Sequence, residues 1–85
     1  MDDYFYTTIE VQKRNDGSYG VLTDNYYEEE GKDPAYNRAE AKYHAICSEA
    51  ALSGIPYHAA YLLRSDGSVK DESIYDRRPG HPQPA

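Results

Sequence analysis

Eighty-five residues with a formal charge of −6 and a single cysteine make one domain at most, with no internal disulfide and no cysteine–histidine cluster of zinc-site spacing. The charge argues against a general DNA binder, which needs clustered Lys and Arg for phosphate contacts. No apolar run approaches the roughly 20 residues that cross a bilayer. The opening Met1-Asp2-Asp3-Tyr4 lacks the basic region and apolar stretch of a secretory signal, and Cys47 alone fits a reducing compartment. A cytoplasmic protein without membrane contact is therefore expected.

Tyr4 to Lys13 alternates with period two: Phe5, Thr7, Ile9 and Val11 on one side, and Tyr4, Tyr6, Thr8, Glu10 and Gln12 on the other. This predicts a strand. Arg14-Asn15-Asp16-Gly17-Ser18 follows, and Asp-Gly supplies the positive-φ positions of a hairpin turn. A second strand is expected from Tyr19 to Tyr27 around Val21 and Leu22. Asp24 to Asp33 then carries Asp24, Glu28, Glu29, Glu30 and Asp33 against Lys32, with Gly31 inside it, and reads as an exposed acidic loop.

Asp33-Pro34 has the form of an N-cap followed by proline at the first helical position. From Ala35 to Ser53 a helix is predicted. Its buried stripe is Ala39, Tyr43, Ile46, Cys47 and Ala50 at three- and four-residue spacing, and Gly54 and Pro56 terminate it. Tyr57 to Arg64 is a third strand, Ser65-Asp66-Gly67-Ser68 a second hairpin turn, and Val69 to Tyr75 a more polar strand expected at a sheet edge. Asp76 to Ala85, with Arg77 and Arg78 ahead of three prolines, is expected to be a disordered tail.

The prediction is thus an α+β domain over residues 1–75: a four-stranded antiparallel sheet of two hairpins, one helix on one face, in ββαββ order. Arg14-Asn15-Asp16-Gly17-Ser18 and Arg64-Ser65-Asp66-Gly67-Ser68 match at all but one position, which shared turn chemistry explains. A single helix leaves the second sheet face wet or in contact with another molecule. If the Phe5/Ile9/Val11 face meets the helix, Tyr4 and Tyr6 lie on the open side. Tyr57 and Tyr61, or His58 and Leu62, join them from the third strand.

Ten tyrosines against one phenylalanine and no tryptophan suit a core rim or an interface, because the ring is apolar and its tip polar. A chain this short buries only about 60–65% of its unfolded surface, so self-association into a homo-oligomer is expected to supplement the core. His44 and Cys47 share a helix face, but no orienting third residue accompanies them, and Cys47 falls in the apolar stripe as a small hydrophobe. The histidines are too scattered for a zinc motif. The acidic loop lacks the spacing of a calcium loop. No phosphate-binding glycine loop or hydrolase elbow is present. The expectation is a protein that is no enzyme and carries no metal or cofactor.

The partner-binding candidates are Tyr4, Tyr6, Glu28, Glu29, Glu30, Tyr57 and Tyr61, opposed to a partner protein with a basic surface. Arg64, Arg77 and Arg78, with Lys13 and Arg14, are the alternative: Arg beside Tyr stacks on rings and clamps phosphates, as a binder of a nucleotide-like signal needs. At Tyr4-Phe5-Tyr6-Thr7, Ala41-Lys42-Tyr43-His44 and Ile55-Pro56-Tyr57-His58-Ala59 the chain resembles small uncharacterised proteins encoded by phages and prophages of gut bacteria, over about residues 4 to 75. The resemblance implies a mobile-element accessory protein that inhibits a host protein, including nucleic-acid-binding or antiviral defence machinery. It transfers no site residue.

Overall fold

Two short segments of near-identical sequence shape the sheet in the same way. In the first, the Arg14 amide donates to the Ser18 carbonyl at 2.8 Å and the Gly17 amide to the Arg14 carbonyl at 3.1 Å. In the second, Arg64 donates to Ser68 at 2.9 Å and Gly67 to Arg64 at 2.8 Å. Asp16 and Asp66 each accept the amide of the serine two residues on. Gly17 and Gly67 have φ of 88° and 92°, and no non-glycine residue among those described has positive φ. Each turn therefore has one left-handed position, a type I turn closed by a glycine bulge. The multiple positive-φ positions read from Asp-Gly are reduced to one per turn.

The computed structural model describes residues 4–78. They form β1 (Tyr6–Lys13), β2 (Tyr19–Tyr26), α1 (Ala35–Leu52), β3 (Tyr57–Arg64) and β4 (Val69–Asp76). The sheet runs β2-β1-β3-β4 with every neighbour antiparallel. This is the expected ββαββ α+β architecture, with β4 at an edge. β1 and β3 are the central pair, Glu10 opposite Ala60. Because Arg14 and Arg64, and Glu10 and Ala60, hold equivalent places, the two hairpins are related by a local twofold through that pair. Asp76 is still strand and the Arg77 amide donates to the Pro56 carbonyl, so the chain stays ordered past the expected start of the tail. The rest of that tail lies outside the described residues.

The helix ends differ from expectation. Pro34 is itself the N-cap, extended at ψ 144° and without a side-chain cap. Asp33 lies one residue before that cap and offers its carbonyl to Arg38 Nε at 2.9 Å. The orphan Ala35 amide donates to Glu28 Oε1 at 3.0 Å, a carboxylate reaching the positive helix terminus from the loop that precedes the helix. At the other end Ser53 is the extended C-cap, its amide bonded to the Glu49 carbonyl, and Gly54 has no left-handed φ. Arg77 Nη2 covers the open carbonyls of Ala50 and Ala51 at 2.8 and 3.2 Å, which a left-handed glycine cap would otherwise satisfy.

The helix buries Ala35, Ala39, Tyr43, Ile46 and Ala50, and Cys47 packs half-buried beside them. It lies over Tyr6, Thr8 and Glu10 of β1 and over His58, Ala60 and Leu62 of β3, not over Phe5, Ile9 and Val11. The alanine stripe lets it approach closely, and Ala39, Ala60 and Leu62 are fully covered. Among the described residues the buried carboxylate below it, Glu10, is matched by His58. The polar series of β1 thus faces inward, and its apolar series, with Tyr57, Ala59, Tyr61 and Leu63 of β3, is left on the face without a helix.

Candidate binding surfaces

A polar relay that sequence reasoning missed crosses the core. Glu10 Oε2 lies 2.6 Å from His58 Nε2, and Ser53 Oγ lies 3.0 Å from His58 Nδ1. The three come from β1, β3 and the helix C-cap, so only the tertiary structure brings them together. Burial pushes the Glu10 carboxyl upward, but hydrogen bonds from Gln12 and His58 outweigh it and hold the group below its usual range. The order serine, histidine, carboxylate is that of a nucleophilic triad. Here His58 is only 2% exposed, and Ser53 Oγ also donates to the Ala50 carbonyl at 3.3 Å. The relay therefore ties the helix end to the two central strands.

The acidic segment serves the fold. Glu28 caps the helix, and Glu29 pairs with Lys32 at 3.3 Å and Arg38 at 3.6 Å. Arg38 also donates to the Tyr27 carbonyl. Glu30 is exposed. Two of the three glutamates read from sequence as a partner surface are thus occupied within the chain.

The tyrosines seat cations. The Arg64 guanidinium lies 4.2 Å over the Tyr4 ring, Arg38 5.9 Å over Tyr26 and Arg77 5.6 Å over Tyr75. Tyr57 takes two, Lys13 at 4.9 Å and Arg78 at 5.0 Å. Tyr6 packs edge-on against Tyr36 at 5.2 Å under the helix. Tyr4 and Tyr6 are therefore not on the open face: the condition set from sequence, that the Phe5/Ile9/Val11 face meets the helix, is not met, because the opposite face of β1 meets it. Tyr57 and Tyr61 are on the open face. The hydrogen bond between their hydroxyls, together with burial, raises the Tyr61 hydroxyl to about 12. The two rings flank Ala59, which is wholly covered although no helix lies over it.

Arg64, Arg77 and Arg78 are not one site. Arg64 binds Asp66 at 2.7 Å beside the second turn, and Arg77 caps the helix. Arg78 instead joins the first hairpin tip across a groove of about 410 Å³ lined by Lys13, Arg14, Asn15, Gly17, Tyr19, Pro56 and Arg78. The turn carries Lys13 and Arg14 there, and the extension beyond β4 delivers Arg78. Asp76 grips the Arg78 guanidinium through Nε and Nη2 at 2.9 and 2.7 Å and fixes its plane. Tyr19 is 70% exposed, a free ring at the edge of this cationic lip. Among the described residues no group of three or more His, Cys, Asp or Glu is placed to hold a metal, and no helix is long and apolar enough to cross a membrane. Compared with protein-family models, with curated proteins and with solved structures, the chain matches none.

Proposed function

We propose that this chain is a non-enzymatic binding module that captures a phosphate-bearing, ring-containing small ligand of the nucleotide class in the groove between the first hairpin tip and Arg78. The observation that carries this reading is the convergence of Lys13, Arg14 and Arg78 on one cleft of a chain whose net charge is −6. Lys13 and Arg78 share the Tyr57 ring, so neither cation needs to be ordered on binding, which lowers the entropic cost of capture. The groove volume falls within the roughly 300–1,000 Å³ of small-molecule sites. Tyr19 offers a face on which a base stacks, while Lys13 and Arg14, beside the Asp76-paired Arg78 guanidinium, attract phosphate oxygens. A mobile-element accessory protein, which the sequence resemblance implies, would use such a site to sequester its ligand. The alternative, occlusion of a host protein by the acidic loop, is less favoured because Glu28 caps the helix and Glu29 is paired with Lys32 and Arg38 within the chain.

Thermal unfolding against a nucleotide panel tests the proposal. A ligand at about 100 times its Kd adds roughly 2.7 kcal/mol, a rise in Tm of about 10–20 °C for a domain of this size. The rise should vanish in Lys13→Ala/Arg14→Ala, both exposed positions, and should be smaller for pyrophosphate, which has no base to stack on Tyr19. No rise with any nucleotide, or an undiminished rise in the double variant, would refute the assignment.

A further inference from the structure

The sheet face without a helix is built in cross-strand rows, and one of them is wholly apolar. Val21, Val11, Ala59 and Ile74 are successive partners across β2, β1, β3 and β4. The row's ends are open, Val21 52% and Ile74 37% exposed. On one side runs Thr23, Ile9, Tyr61 and Glu72, then Asn25, Thr7, Leu63 and Val69. On the other runs Tyr19, Lys13, Tyr57 and Asp76. Charge on these rows is confined to Lys13, Glu72 and Asp76, at strand ends or on the edge strand. The centre has none, although the chain as a whole is strongly acidic.

We infer that this face pairs with the same face of a second copy of the chain. Its extent supports a specific dimer. Eight residues per strand span about 26 Å, and four strands span about 19 Å across, at the usual strand rise and spacing. That is a footprint on the order of 500 Å² per copy, or about 1,000 Å² for the pair, the lower bound for a specific interface. The uncharged central rows offer no complementarity by which an acidic or basic partner would be selected, and a contact centred on them leaves Lys13, Glu72 and Asp76 at its periphery. An isologous contact requires only such self-complementarity. Two sheets packed face to face would complete a sandwich with a helix on each outer side. Lys13 and Tyr19 belong both to this face and to the ligand groove, so pairing covers that edge of the groove.

Light scattering of the full chain from about 1 µM to about 1 mM tests the inference over a range that brackets micromolar association. The expected result is a shift from monomer to dimer mass within that range. Val21→Lys/Ile74→Lys should weaken association at least tenfold. Leu52→Lys, an equally apolar position 89% exposed on the helix, should leave it unchanged. Circular dichroism at low concentration checks that the variants fold, which the exposure of both positions favours; were the pair to misfold, the single variant Val21→Thr replaces it, with the same expected direction. A wild-type chain that stays monomeric at about 1 mM, or a folded sheet-face variant that retains dimer mass, would overturn the pairing.

Discussion

The relay from Glu10 through His58 to Ser53 invites the most direct test of the packing argument. His58→Ala removes a ring that is 2% exposed and leaves the buried Glu10 carboxylate with its Gln12 hydrogen bond but without the imidazole. Leaving a buried polar group without its hydrogen-bond partner costs about 1–3 kcal/mol. A domain of 85 residues has a total stability of roughly 4–13 kcal/mol, so His58→Ala should remove a measurable share of it. Glu10→Ala also leaves the imidazole without its carboxylate partner, while the double variant removes both groups together. Their effects should therefore be non-additive, with a coupling of about 2 kcal/mol within the range measured for residues in contact. Urea unfolding followed by circular dichroism gives all three values. The pH dependence has a definite sign. The folded Glu10 carboxyl lies below its ordinary 4.5, so its contribution is present above that value and is lost as pH falls through the lower, folded value. Wild type should lose stability below about pH 4.5 more steeply than Glu10→Gln, which has no carboxylate to titrate there. Single variants costing under about 1 kcal/mol, or strictly additive effects, would refute the reading of this relay as a buried pair that joins the helix end to the strands.

Two further outcomes follow from the turns and the helix start. Gly17→Ala and Gly67→Ala should each cost about 1–2 kcal/mol, because both positions are left-handed and a β-carbon is strained there; Gly20→Ala, with open space and ordinary φ, serves as the comparison in urea unfolding. Glu28→Ala should cost about 1 kcal/mol and expose the first-turn amides of α1 to hydrogen exchange, whereas Glu30→Ala should stay within about 0.5 kcal/mol.

Much of the fold was legible in the residues because local rules act over short spans. Period-two alternation marked β1, the Asp-Gly pairs marked both turns, and alanine with tyrosine at helical spacing marked α1 and most of its buried stripe. The helix ends were harder. Glu28 caps the Ala35 amide and Arg77 caps Ala50 and Ala51, and partners at such sequence distances leave no local signature. Asp33 looked like the cap because it directly precedes Pro34, yet proline, as the N-cap, left it only a carbonyl role.

What the tertiary structure alone decided is which face of the sheet is inside. Alternation in β1 states that two faces differ, and apolar content would turn Phe5, Ile9 and Val11 inward. The register Glu10 opposite Ala60 instead sets a small residue and a matched carboxylate under an alanine-lined helix, where close approach and a Glu10–His58 pair outweigh the burial of larger side chains. That choice sends Tyr6 under the helix, leaves Tyr57 and Tyr61 on the open face, and carries Lys13 and Arg14 to the cleft that Arg78 closes. Sequence supplied the inventory of tyrosines and cations. Their grouping depends on a register between strands that are distant along the chain, because cross-strand contact, and not proximity in sequence, decides which charges share a ring.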